Sequence, residues 1–282
     1  MRAPRMPLTP RRHVISAHDS ATSAEPTSAA PALQDPSLID IYQRYFDVIP
    51  ANTPELIEQA YRLRYEVYCV ENAFENPAEH PDGLERDEFD SHSVHSLLIH
   101  RETGQVAGTV RLILPDPRHP LPITQICSDP LLRDPILVPP GRTAEVSRFA
   151  VSKSFRRRAT DKPIVDGGFM ESRKPDPGDR RVIPHITLGL MKAVTQMSRE
   201  HGITHLCAVM EPALLRLLGR LGIQFTPVGP LVDHHGRRQP CYGPLDDILA
   251  GIYQQRPDAS DVITDGGRFW KSDAPPPVAS SA

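Results

Sequence analysis

The stretch AEVSRFAV, Ala144–Val151, reads as a β-strand of mostly apolar and small residues, yet Glu145 and Arg148 sit inside it. An unpaired charge taken out of water is strongly unfavourable, so both groups require partners. They lie three positions apart, which in a regular strand puts them on opposite faces. A β-bulge between them would bring both to one side, and bulges are common beside active sites.

The same question recurs on either side. In QVAGTVRLIL, Gln105–Leu114, Arg111 is flanked by apolar residues. VHSLLIH precedes it, and Glu102-Thr103-Gly104 joins the two as a hairpin. Further upstream Thr53 is a helix N-cap, Pro54 fits the first helical position and Glu55 suits the dipole. Leu56, Ala60, Leu63, Val67 and Val70 then form an amphipathic stripe to about Glu71, with Arg64 along its edge. Between this helix and the hairpin lies LERDEFD, Leu84–Asp90, which holds Glu85, Asp87, Glu88 and Asp90. Arg64, Arg111 and Arg148 are therefore expected to meet Glu145 and part of the acidic stretch in one polar cluster. Charge placement alone leaves open whether that cluster performs chemistry or only fixes the packing.

Downstream, Ile186, Leu190, Ala193, Val194 and Met197 mark a second amphipathic helix closed by Gly202. ITHLCAVM is a strand, Pro212 opens the short helix ALLRLLGRL, and Gly222 ends it. A β-rich stretch begins at Ile223, and PLDDILAGIYQQ forms a last helix. This order predicts an α/β (α+β) fold with a mixed sheet flanked by helices, not a doubly wound nucleotide fold. The expected organisation is a disordered tail at 1–36, one domain at 37–256 with a basic loop at 154–184, and a largely disordered tail at 257–282.

A formal net charge of −3 on 282 residues gives no reason to expect nucleic acid or an anionic membrane as partner. No apolar run is long enough to span a bilayer, and the first residues lack the apolar core of a secretory signal. Cys69, Cys127, Cys207 and Cys241 share no CxxC spacing and read as reduced, structural thiols of a cytoplasmic protein. His92, His95, His234 and His235 have no recognised zinc spacing and read as surface or loop histidines.

Taken together, RLRYEVYCVENAFE, LERDEFD, GTVRLIL and AEVSRFAV follow the order and spacing of the N-acyl-homoserine-lactone synthases. Those enzymes share a fold with the N-acyl amino acid synthases and the GCN5-related N-acyltransferases. Over about Tyr45 to Ile252 the chain resembles the exosortase-associated acyltransferases found beside PEP-CTERM protein-sorting systems. The resemblance implies a mixed, splayed sheet, with the acyl thioester entering beside AEVSRFAV and the acyl tail in an apolar cleft. Carried over by position, Arg64, Tyr68, Phe74, Asp87, Asp90 and Arg111 fall on the acceptor side, and Glu85, Glu145 and Arg148 at the chemistry. Phe74 stands where homoserine-lactone synthases usually have Trp.

Aminolysis of a thioester needs an uncharged amine, a site for the developing oxyanion and a positioned acyl group. Carboxylates near the acceptor can orient its ammonium and take up its proton. Glu85 is the expected base, and no covalent intermediate is required, so Cys69 is read as a packed side chain. Phe149, Ala150 and Val151 are expected to face the donor, and an unpaired N–H of the bulged segment between Arg148 and Val151 to supply the oxyanion site. The phosphate-binding glycine turn of acetyl-CoA enzymes is missing after this strand, the first glycine being Gly167. Instead Arg156, Arg157 and Arg158, with Arg173, Lys174, Arg180 and Arg181, form a basic run suited to an acyl carrier protein, with CoA as the alternative. No metal or resident cofactor is expected. The leading expectation is an N-acyltransferase acting on a small amine, an amino acid or similar metabolite. The alternatives are a homoserine-lactone synthase using S-adenosylmethionine and a non-catalytic acyl-binding or regulatory protein on the same fold.

Overall fold

The computed structural model describes residues 36–156 and 182–270, with the side chains of Arg156 and of residues 182–184 left aside. Arg157, Arg158 and the other basic positions up to Arg181 lie outside the described residues. So do residues 271–282 and all but the last residue of the expected N-terminal tail.

The chain opens with α1 (Leu38–Tyr45), β1 (Phe46–Pro50) and α2 (Pro54–Tyr65), then the hairpin of β2 (Ser93–His100) and β3 (Val106–Ile113). There follow α3 (Pro122–Ile126), β4 (Thr143–Val151), α4 (Lys153–Arg156), α5 (Val182–Glu200), β5 (His205–Met210) and α6 (Pro212–Arg220). Two short strands, β6 (Thr226–Pro227) and β7 (Val232–Asp233), precede β8 (Arg237–Pro244), α7 (Leu245–Gln255) and α8 (Pro257–Thr264). The sheet order is β1-β2-β3-β4-β5-β8-β6, with β7 also on β8. All pairings among the described residues are antiparallel except β4 with β5.

Helices cover both faces, so both sides of β2 and β3 are buried: Leu97, Leu98, Ala107, Val110, Leu112 and Ile113, and with them the polar His95, Ser96, Thr109 and Arg111. On one face α5 lays down Ile186, Leu190, Ala193, Val194 and Met197, all buried, in the expected stripe. Its close approach needs Gly189, where a Cβ would stand 2.7 Å from Leu98 Cδ1 and 2.9 Å from the Tyr42 hydroxyl. On the other face α2 packs Ala60 and Leu63 against the sheet.

Two local insertions shape the centre. After Tyr65 the helix loosens into a π turn, Glu66–Glu71, whose extra residue rotates the side chains beyond it around the axis. Val70, expected on the buried stripe, is therefore 58% exposed, and Cys69 takes its place inside. In β4 the register with β3 slips: Thr109 faces Ala150 but Arg111 faces Ser147, so Arg148 and Phe149 together oppose Val110. This is the bulge that the spacing of Glu145 and Arg148 calls for. Arg148 takes a left-handed backbone (φ 49°), a conformation that disfavours non-glycine residues by about 1–2 kcal/mol.

Beyond the bulge, β4 and β5 part. Their parallel register joins Thr143–Val146 to His205–Ala208. Further on, β4 continues with β3 and β5 continues with β8. Below the sheet the C-terminal boundary shifts from the expected 256. Residues 257–264 are helical, with Ala259, Val262 and Ile263 fully buried in the main core and Phe269 beside them. The segment is thus part of the domain rather than the start of a tail.

Candidate active site

The site is assembled by the two insertions and by the acidic stretch between them. Glu85 N–H donates to Tyr61 O at 3.1 Å, tying the stretch to α2. Asp87 then caps a 3-10 turn, Glu88–His92, and the Asp90 carboxylate returns to the Asp87 N–H at 2.8 Å in a capping box. The turn fixes where these carboxylates point, whereas Glu88 is exposed.

Arg64, fully buried, donates through Nε to Glu85 Oε2 at 2.5 Å and through Nη1 and Nη2 to the two oxygens of Asp90 at 2.7 and 3.0 Å. Arg111 reaches Asp87 Oδ1 at 2.5 Å, Asp90 Oδ1 at 2.8 Å and the Ser147 hydroxyl at 2.9 Å. Arg148, raised by the bulge, donates to Glu85 Oε1 and Glu75 Oε1, both at 2.9 Å, with Asp87 Oδ2 at 3.2 Å. Its guanidinium lies over the Tyr68 ring, 5.0 Å from the centroid. Three guanidiniums thus meet four carboxylates, and the cluster carries surplus negative charge.

Two carboxylates respond oppositely to this environment. Burial alone would raise Glu85, but the hydrogen bonds and charges of Arg64 and Arg148 prevail and bring it down to about 2. Asp90 is likewise held low, by Arg64 and Arg111 against burial. Glu145 is pushed up to about 7, because desolvation outweighs the Ile123 N–H bond (2.8 Å to Oε2) and the more distant Arg111 and Arg148. No ion pair joins Glu145 to the arginines among the described contacts. It adjoins the cluster without being bonded into it, which corrects the expectation of direct pairing.

Where β4 and β5 part, a cleft opens. Tyr68, Ser147, Arg148 and Arg238 are polar groups on its wall. Val146, Phe149, Met191, Met210, Leu214, Leu218 and Phe225 make the rest largely apolar. The strand LCAVM and the helix ALLRLLGRL contribute Ala208, Val209, Met210, Leu214 and Leu218 to this wall. Phe149 faces the cleft. Ala150 does not: it packs with Leu63 and Val67 under α2. Ser152 N–H donates to Ala107 O at 2.9 Å, so by strand alternation the Val151 N–H points to the opposite edge of β4, the one β5 has left.

Phe74 sits within an aromatic group, 6.3 Å from Tyr68 and 6.0 Å from His235, with the Arg238 guanidinium 5.4 Å above its ring. Glu75, Ser147 and Arg238 are site residues that the sequence does not single out. His95, read there as a surface or loop residue, is instead buried in β2 beside Asp90 (Nε2 to Oδ1 3.4 Å) and edge-on to Tyr61. Burial and Arg64 lower it to about 4, so it is neutral at pH 7. Cys69 is buried and pushed up to about 11, chiefly by burial, which leaves it unsuited to nucleophilic attack.

Residues 63–165 match the model of the acetyltransferase (GNAT) domain. The chain has a GCN5-related N-acyltransferase-like fold. The acyl-homoserine-lactone synthase LasI superposes with a TM-score of 0.51 at 17% identity, over 74% of this chain and 95% of that one. FeeM, an N-acyl amino acid synthase from uncultured soil microbes, gives 0.48 at 16% identity over 75% and 97%. BjaI, a CoA-dependent acyl-homoserine-lactone synthase, gives 0.46 at 22% identity over 80% and 89%. No curated protein sequence matches the chain. No described helix is long and apolar enough to cross a membrane.

Proposed function

We propose that the chain is an N-acyltransferase moving a fatty acyl group from a thioester to the amine of a small acceptor, an amino acid or related metabolite. The observation that carries this reading is one cleft that adjoins the charged cluster: an apolar interior between the parted strands, with Arg148, which bonds Glu75 and Glu85, on its wall. The interior suits an acyl chain, each buried methylene contributing about 0.8 kcal/mol. The surplus negative charge suits an ammonium. Asp87 and Glu75, at 24% and 23% side-chain exposure, are the carboxylates within reach of a ligand. Glu85 and Asp90 are sealed by arginines and serve as anchors.

Proton uptake is assigned to Glu145, acting through water, in place of Glu85. A base near the operating pH balances protonation against driving force. A group held at about 2 by two guanidiniums is a poor acceptor, whereas one at about 7 is well matched. The amine attacks the thioester carbon, the Val151 N–H donates to the developing oxyanion, and the C–S bond breaks to release the thiol. One such donor is worth about 3–4 kcal/mol of barrier.

The donor proposed is an acyl carrier protein, on the basic run from Arg156 to Arg181 in the sequence, with acyl-CoA as its competitor. A cytoplasmic location and a role beside a PEP-CTERM/exosortase system rest on the family resemblance. Mass spectrometry of lipids from cells making the protein or its Glu145→Gln variant tests the reading. It expects an N-acyl product that the variant lacks. A homoserine lactone product would replace the acceptor, and no product with either donor would favour an acyl-binding protein.

A further inference from the structure

We propose that His92, Asp116 and His119 form a binding site for a divalent transition metal ion of the zinc class. One ligand atom from each residue lies within 4.8 Å of the others. The three come from two fixed pieces of backbone. His92 ends the 3-10 turn that carries Asp90, and its carbonyl accepts the Leu114 N–H at 3.0 Å. Asp116 and His119 close a tight bridge just past β3, where His119 N–H donates to Asp116 O at 3.1 Å.

Asp116 and His119 already bond to each other, and His92 leaves one ring nitrogen unpartnered. The rings of His92 and His119 stack 5.3 Å apart at 18°. His92 Nε2 is buried without a hydrogen-bond partner, a costly state for a polar atom. His119 Nδ1 lies 2.9 Å from Asp116 Oδ2. Two imidazoles and one carboxylate are the donor set of zinc and its neighbours, whereas calcium and magnesium take mainly oxygen. Zinc bonds of about 2.0–2.2 Å require the ligand atoms to draw together. The exposed His119 ring can move to do so. Arg118 competes for Asp116 at 3.3 Å, but its side chain is 82% exposed and such pairs contribute little.

Three protein ligands leave a fourth position to water. The site stands outside the charged cluster and takes no part in the proposed reaction. It would clip the turn bearing Asp87 and Asp90 to the segment leading into α3, whose Ile123 N–H holds Glu145. Sequence spacing does not show it, because the whole β2–β3 hairpin separates His92 from Asp116 and His119 along the chain.

The test uses the full-length protein, stripped with a chelator and titrated with Zn²⁺ against a chromophoric competitor, and separately with Co²⁺. One equivalent per chain is expected, with Co²⁺ bands free of thiolate charge transfer. His119→Ala and His92→Gln should each lower affinity by at least about tenfold, while His201→Ala, at an exposed helix end, leaves it unchanged. Circular dichroism confirms that each variant is folded; His119 is exposed, so its variant reports even if His92→Gln does not fold. Absence of stoichiometric binding, unchanged affinity in His119→Ala, or thiolate bands from Co²⁺ would each overturn the site.

Discussion

Glu85 is bonded to the Arg148 guanidinium, whereas Glu145, three residues before Arg148 in the same strand, senses that charge only at a distance. The first is pulled down to about 2 and the second pushed up to about 7. Two carboxylates with separated protonation ranges divide the labour of anchoring and proton transfer. Glu145→Gln should therefore lower the acyl-transfer rate by about 10²–10⁴-fold and remove a kinetic inflection near pH 7, with the fold intact. Single-turnover kinetics across pH would show it. A full rate with the inflection retained would return the role to another group.

Stability should follow pH in two opposed windows. Glu85 and Asp90 ionise more readily folded than unfolded, so their contribution is present above the usual carboxylate range and is lost as pH falls through it toward 2. Glu145 behaves inversely: between about 4.5, where it ionises unfolded, and about 7, the folded state holds the extra proton and stability declines as pH rises. Thermal melts from pH 2 to 8 should show both limbs, and Glu145→Gln should flatten only the upper one.

Arg64→Ala should destabilise the protein by about 3–5 kcal/mol, since Glu85 and Asp90 would remain buried with part of their compensation gone. Arg64→Lys should recover little of this, because an ammonium cannot reproduce the fork that binds Asp90 with two nitrogens. Urea unfolding of both variants measures the difference. A loss under about 1 kcal/mol for the alanine variant would mean that the cluster is not tightly coupled to folding.

Much of this is legible in the sequence because charges in apolar runs stand out. Arg64, Arg111, Glu145 and Arg148 each break a pattern, and the odd spacing of the last two already demands a bulge. Glu75 breaks none: it lies in a polar, turn-like segment, and its partner is distant in the chain. His95 alternates plausibly in its strand, and only the three-dimensional cluster shows which face is buried. The helix at 257–264 does carry a signal, Ala259 with Val262 and Ile263, but one too short to separate from a polar tail. The π turn has no composition of its own, so regular helical spacing carries the stripe on to Val70.

Acyl selectivity should respond to the helix beyond the fork. Leu214→Trp, on the apolar wall, is expected to shift preference toward shorter chains, each excluded methylene removing about 0.8 kcal/mol of binding. Competition between donors of different length, read by product mass, measures this. An unaltered length profile would place the acyl chain elsewhere.

The π turn and the bulge each add one residue to an element, and the additions face each other: Tyr68 comes from the first, Arg148 from the second, and they stack. Each insertion therefore has meaning only while the other is present. Deleting one residue from either would swing its side chain away and strand the opposite one. A relative of this fold with a regular helix at this point should also have a regular strand, or a different residue at the bulge. The two irregularities form a single heritable unit, split between distant parts of the chain.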